Sequence, residues 1–372
     1  MSATMRAARM YRVSEPMRLE RVPVPEPGPD DVRVRVHAVS IVPNMPNILN
    51  HWPAQFPHLP LPTLPAIFGL DTAGVVEKVG EQVTTFEPGD RVYVNPGRSC
   101  GSCLSCRNRD TINCESFAFA GYFGFSPSSV RLLDRYPGSF AEYQIAPAYA
   151  LVGLPGQVSF EAGARFGYLG TMYAALRKAG AAPGKTILVN GISGALGLSA
   201  ALFAPAFGVT ELYGTGRDHT LLAQVEKLGA GRIRTHSLND GPVDAWIRSQ
   251  TDGRGVDIYI DALGPGAPHE PFLAGMRSLA RGGVAVNVGA VAGAVPIDVH
   301  SMMDQQLRLI GSNWFTAGEG QEMARLAEAG ILDLSQLEHR TYPLEQVNEA
   351  IDRATVRAGG FSNIIVSPTA AA

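Results

Sequence analysis

The stretch "KTILVNGISGALGLSAALFAPAFG" (residues 185–208) changes character three times. It opens as a β-branched apolar run, passes glycines at Gly191, Gly194 and Gly197, and continues as an apolar helix. Strand, glycine turn, helix is the order that a dinucleotide phosphate needs. Glycine permits the tight turn and lets the backbone approach a pyrophosphate, whose charge the helix N-terminus favours. The form is Gly-x-x-Gly-x-x-Gly, with Ile192 where the commoner fingerprint has a glycine. Ser193, Ala195 and Leu196 are the other candidate contacts of the turn. The competing reading is a glycine turn of structural use alone.

Outward from this turn the pattern alternates. "FEAGARFGYLGTMYAALRKAG" (160–180) has helical apolar spacing and ends in glycine. "VTELYGT" (209–215), "VDIYIDALG" (256–264) and "GGVAVNVGA" (282–290, with Gly289 at a strand end) read as strands, and "TLLAQVEKLGA" (220–230) as a helix. Such alternation means a doubly wound parallel sheet covered on both faces. Before residue 155 the chain reads instead as short strands. "DVRVRVHAVS" (31–40) alternates, with Val32, Val34, Val36 and Ala38 on one face of a half-buried strand, and "TAGVVEKVG" (72–80) and "GDRVYVN" (89–95) follow. "IVPNMPNILNHWPAQFPHLPLPTLP" (41–65), rich in proline, reads as a long ordered loop over a pocket. A helix (319–330) and a strand (362–368) close the chain. The fold class is α/β with a second, β-rich domain, as expected for 372 residues.

The end of the second strand of the alternating part, "YGTGRD" (213–218), bears on the cofactor. A carboxylate there accepts from a ribose 2′-OH, and an arginine holds a 2′-phosphate by forked bonds. Thr215, Gly216 and Arg217 stand at that end, so NADP(H) is expected, and a one-residue shift would bring Asp218 into play instead.

All four cysteines fall in one run, Cys100-x2-Cys103-x2-Cys106-x7-Cys114. Thiolates so spaced wrap one tetrahedral zinc, and a site with four protein ligands leaves no position for substrate. One structural Zn2+ per chain is expected. Free thiols, a disulfide pair or a redox Cys-x-x-Cys are the competing readings. A net charge of -3 gives no broad basic surface for nucleic acid or an anionic membrane, and no apolar run reaches bilayer length. The first residues carry arginines with no apolar core behind them, so no signal peptide is read and a cytoplasmic location is expected.

Together "VRVRVHAVS", "VVEKVG…PGDRVYV", the cysteine lobe, "GSFAEYQIAP" (138–147), the glycine turn, "VDIYIDALG" and "LIGSN" (309–313) resemble the zinc-containing alcohol dehydrogenases of the medium-chain dehydrogenase/reductase superfamily over nearly the whole chain. The resemblance implies a GroES-like catalytic domain from residues 1–155 and 305–372, carrying a zinc lobe at about 97–116, and a Rossmann domain at 156–304. It also implies a homodimer or homotetramer joined through the Rossmann sheets or the zinc lobes. The turn "GISGALG" is similar to the quinone oxidoreductase branch.

The resemblance also implies three ligands for a catalytic zinc, and here the chain departs from it. Val42 stands at the first position, Leu70 of Gly69-Leu70-Asp71 at the second, and Gly167 or a neighbour at the third. None of these can ligate, so no catalytic zinc is expected. Without that Lewis acid, two chemistries survive. One is hydride addition to an activated C=C of an enone, enal or iminium-like substrate. The other is carbonyl reduction, or alcohol oxidation, with side-chain acid–base groups. The first is preferred because the glycine turn resembles zinc-independent relatives. A third possibility is a cofactor-binding protein without turnover. Asn44 at the relay position, Asp71 and Tyr168 are the candidate catalytic groups, each with a structural role as its alternative. His51 and Trp52 could form a lid, and "FAFAGYFGF" (117–125) could line a site for a small, apolar substrate, although packing competes in both cases.

Overall fold

Alternating valines place the strand Asp31–Ser40 at the centre of a seven-stranded sheet, where it pairs with Asp71–Val79, Tyr143–Pro147 and the late strand Ser362–Ser367. Arg91–Val94 and Leu151–Gly153 extend the sheet on one side, and Glu338–Pro343 on the other. This computed structural model describes residues 3–55, 58–291, 293–356 and 358–369. The strand Asp31–Ser40 is more deeply buried than its alternation predicted. Arg33 on the supposed outer face is only 9% exposed, paired with Glu77 and Glu26.

The loop expected over 41–65 contains a helix, Met45–Gln55, kinked at His51. The prolines obscured a helical period. Met45, Ile48, Leu49 and Trp52 fall at i, i+3, i+4 and i+7, and all are buried. Residues 56 and 57 lie outside the described part.

The alternating region forms a six-stranded parallel sheet in the order Ile233–Ser237, Glu211–Gly216, Thr186–Asn190, Val256–Asp261, Leu279–Asn287, Arg308–Gly311. The order reverses between Thr186–Asn190 and Val256–Asp261, and ligands of such sheets bind beyond the strand ends at that point. Arg308–Gly311 belongs to this sheet, so the expected boundary at 304 moves beyond Gly311. A four-residue edge strand with an exposed leucine carries too little pattern to be read.

The helix expected at 160–180 is two pieces, Phe160–Gly163 and Phe166–Ala179. The second packs on the helix Ala195–Phe203, on Leu279–Asn287 and on Ala317–Glu328. Close approach requires its glycines. A Cβ at Gly170 would lie 2.4 Å from the ring of Phe315.

Candidate active site and cofactor cleft

At the glycine turn, Gly191 adopts φ +79, and the N–H groups of Gly191 and Ile192 both donate to Thr215 O (2.9 and 2.8 Å). The turn leads into Ala195–Phe203 with Gly194 at its N-cap. A Cβ at Gly197 would stand 2.1 Å from Gly191 O, and one at Gly216 would stand 2.9 Å from Ser193 Oγ. These contacts make a bare-backbone cradle of the kind a pyrophosphate fits. Ser193, Gly194, Ala195 and Leu196 line it, each partly exposed.

Behind the cradle lies a buried polar network that the sequence did not disclose. Thr215 Oγ1 donates to Asn190 Oδ1, while Asn190 Nδ2 and the Tyr259 hydroxyl donate to Asp261 Oδ1 (3.2 and 3.0 Å). Burial pushes Asp261 up to about 6 against those two donors. Its other oxygen lies 2.7 Å from where a Cβ on Gly289 would be, so only glycine fits there. Arg217 is exposed beyond the strand end. Asp218 is engaged elsewhere, because its Oδ1 accepts from the N–H of Thr220 and Leu221 and caps the helix His219–Leu228.

The ends of the strands Leu279–Asn287 and Arg308–Gly311, with Gly289 just beyond the first, open onto a cleft of ≈ 630 Å³. Its far wall comes from the cysteine lobe, through Asp110, Ile112 and Asn113, and Trp314 lies between. In the lobe the four sulfur atoms lie within 4.8 Å of one another. Among the described residues this is the one group of three or more His, Cys, Asp or Glu side chains so disposed. Backbone N–H groups of Ser102 and Cys103 hold Cys100 down to about 6, while burial raises Cys114 to about 12. An all-thiol donor set of this size fits zinc, which would draw the remaining protons off and hold the lobe together.

The positions implied for a catalytic metal offer no ligand. Val42 and Leu70 are buried apolar side chains. At Gly167 a Cβ would lie 2.1 Å from Asp71 Oδ1, so the Asp71 carboxyl fills the space that a side chain there would take. These residues do not fit a metal.

Asn44, Asp71 and Tyr168 do come together. Asp71 is 1% exposed, and its Oδ1 accepts from the Tyr93 hydroxyl at 2.7 Å. Its Oδ2 has no hydrogen-bond partner. Burial raises Asp71 to about 7, opposed by the Tyr93 hydrogen bond and by the positive charge of Arg165. Arg165 lies with its guanidinium 5.4 Å from the Tyr168 ring centre. Burial pushes the half-buried Tyr168 phenol up, and the Asn44 N–H faces that phenol. The buried Tyr122 hydroxyl faces the Asn44 side chain without completing a hydrogen bond. Asn44 also sits at the start of the helix Met45–Gln55, its Oδ1 accepting from Asn47 Nδ2 at 3.0 Å.

Tyr93 and Arg165 were missed by sequence reasoning, and Tyr122 was covered only as part of the aromatic stretch 117–125. A lone arginine inside the apolar "FEAGARFGYLG" was the one available signal. From Tyr122 an aromatic wall runs through Phe123 (4.6 Å) and Phe119 to Trp314 (4.6 Å) at the cleft. Phe117 and Phe119 are core, while Phe123 is half-buried. Trp52 packs on Phe123 at 5.4 Å, and His51 is exposed at the kink.

The chain matches the alcohol dehydrogenase GroES-like domain over residues 28–156 and the zinc-binding dehydrogenase domain over 195–329. It is 30% identical over 369 residues to the sorbitol dehydrogenase of Bacillus subtilis, covering 98% of this chain and 97% of that protein. The chain belongs to the medium-chain dehydrogenase/reductase superfamily. An NAD-dependent alcohol dehydrogenase of Sulfurisphaera tokodaii is 29% identical over 94% of this chain and 96% of its own length. The thermostable alcohol dehydrogenase of Pyrobaculum aerophilum superposes with a TM-score of 0.78 at 25% identity, over 98% of this chain and 100% of that one. A chain from Sinorhizobium meliloti 1021, solved bound to NADP, shares the fold with a TM-score of 0.83 at 24% identity, over 99% and 100%. This superfamily member is an alcohol dehydrogenase-like oxidoreductase with a GroES-like and a Rossmann domain. Among its described residues no helix is long and apolar enough to cross a membrane.

Proposed function

We propose that this chain is an NADP(H)-dependent reductase that transfers hydride, without a catalytic zinc, to an activated C=C of an apolar enone, enal or iminium-like substrate. The observation that carries the reading is Asp71. It is a buried carboxyl with one unpartnered oxygen, set among Tyr93, Tyr122, Arg165 and Tyr168 beside the positions where Val42, Leu70 and Gly167 offer no ligand. NADPH, when bound along the glycine turn, supplies the hydride. Hydride addition to the β-carbon sends the π electrons toward the carbonyl oxygen, where Asn44 and the Tyr168 phenol donate hydrogen bonds. A proton from Asp71, which is recharged from solvent, delivered to the α-carbon completes the saturated product. The wall of Phe123 and Trp314 supports an apolar substrate. Arg217, with Asp218 tied up as a helix cap, supports NADP(H), although relatives are named NAD-dependent.

The test is turnover of NADPH with an enone, an enal and a simple aldehyde, with zinc per chain measured on the same sample. Consumption with the enone and the enal, none with the simple aldehyde, and one zinc per chain are expected. Equal turnover of the aldehyde would move the reading to carbonyl reduction, and tight NADPH binding with no turnover would move it to a non-catalytic binder. A second zinc in the cleft would overturn it. Arg217→Ala should raise KM for NADPH about tenfold and leave that for NADH unchanged, by loss of a charge-assisted pair. A native preference for NADH would contradict the cofactor assignment.

A further inference from the structure

Arg165 ties two sites together. It is 3% exposed, directly before the helix Phe166–Ala179. Its Nη2 donates to Gly360 O at 3.0 Å, and Gly360 N donates to Ser193 O, in the glycine turn, at 2.7 Å. Gly360 lies so close to that turn that a Cβ there would stand 2.5 Å from Gly194 O. One residue therefore separates the guanidinium from the phosphate cradle. On its other side, Asp71 is the carboxylate on which its field falls. The ionisable groups that face Asp71 are Tyr93 from the strand Arg91–Val94, Tyr122 from the aromatic loop, and Arg165 and Tyr168 from the helix start. Arg165 is the one cation among them.

We propose that Arg165 is shared between the dinucleotide's pyrophosphate and Asp71, so that cofactor binding draws a proton from solvent onto Asp71 and readies it as the acid. The inference rests on the reading that this chain binds NADP(H). Without cofactor, Arg165 favours the Asp71 carboxylate. Bound pyrophosphate on the glycine turn, one residue beyond Arg165, offsets the field of that cation with its own negative charge, and this favours the protonated acid. Since Asp71 starts from about 7, the change falls within the working pH range. Because binding takes up a proton, affinity weakens as pH rises.

The experiment is calorimetric titration of the whole protein with NADPH, in buffers of different ionisation enthalpy. A rise of about one unit at Asp71 means uptake of about half a proton near pH 7.5 and about tenfold weaker binding from about pH 6 to about pH 9. In Asp71→Asn, which is permanently neutral, the uptake attributable to the protein should vanish. That variant should also bind NADPH about tenfold more tightly than wild type near pH 9, a gain that a merely damaged fold does not give. The same variant subtracts protonation of the dinucleotide's own 2′-phosphate. Arg165→Met should lose the uptake and bind more weakly at every pH, and if it does not fold, Asp71→Asn still decides. Uptake unchanged in Asp71→Asn, or no uptake in wild type, overturns the inference. Binding of neither NADPH nor NADH would instead sink the reading on which it rests.

Discussion

A buried carboxyl needs a reason to stay buried, and Asp71 has only a partial one. One hydrogen bond from Tyr93 and the field of Arg165 leave Asp71 near 7 and its Oδ2 unpaired. A structural carboxylate would be expected to gather more donors. The charged form is the one that burial penalises, so Asp71 is protonated below about pH 7 and loses its proton above it. If it is the acid, kcat for the reductive direction, which reports the cofactor-bound enzyme, should be level at low pH and fall with rising pH about one unit above the value of about 7 in the free protein. Asp71→Asn should lower kcat about a hundredfold and remove that inflection, the usual scale for a lost general acid. The pH profile of kcat checks this. A profile unchanged in the variant would reduce Asp71 to a packing role. Asn44 and Tyr168 were legible because they fall at positions marked by the resemblance. Arg165 was not, since its neighbours Asp71, Tyr168 and Gly360 are distant in sequence or hidden behind a helix start.

At the scale of elements, the cysteine lobe is more than an appendage. Its short helix Leu104–Arg107 and the turn Thr111–Asn113 have no buried residues, so apolar packing does little to hold them. The metal is therefore expected to fix the lobe, and through Ile112 and Asn113 the wall of the cleft. Stripping zinc with a chelator, or substituting Cys103→Ser, should lower the Tm and raise KM for the dinucleotide severalfold, with both restored by adding zinc to the wild-type protein. Thermal unfolding and steady-state kinetics before and after chelation check it. An unchanged KM would separate the lobe from the cleft. The helix Met45–Gln55 teaches a different lesson. Its apolar period was present in the sequence, and the prolines outweighed it in reading, whereas the fold accepts Pro46 in the first turn, where no backbone donor is needed.

For the whole molecule, the two stretches of chain that build the β-rich domain are joined by contacts between residues far apart in the sequence. Asn95 in the first domain accepts from Trp314 Nε1 at 2.9 Å and donates to Phe315 O at 3.3 Å, across some 219 positions. Trp314 in turn lines the cleft. Asn95→Ala would leave a buried indole N–H without a partner, at a cost of about 1–3 kcal/mol. That should lower Tm by about 2–6 °C. Displacement of Trp314 should also raise the substrate KM more than that for NADPH. Differential scanning calorimetry and the two KM values check this, and a KM for substrate that stays put would show that Trp314 does not border it. The parallel sheet, its glycine turn and the β-rich partner domain were all legible beforehand, because strand alternation, helix period and glycine spacing are local signals. The edge strand Arg308–Gly311 was not, since four residues hold too little period to read.

The sequence by itself determined the fold class, the thiol set and the glycine turn, because each is written in the spacing of neighbouring residues. It also determined that Val42, Leu70 and Gly167 offer no metal ligand, since side-chain chemistry alone decides that. Only the tertiary structure decided what occupies that place. Asp71 meets Gly167, Tyr93 meets Asp71, Arg165 reaches Gly360 beside the glycine turn, and the cysteine lobe faces the Rossmann strand ends. Those meetings depend on loop closures across tens to hundreds of residues. The burial that shifts Asp71 toward neutral pH exists only once both domains have closed around it.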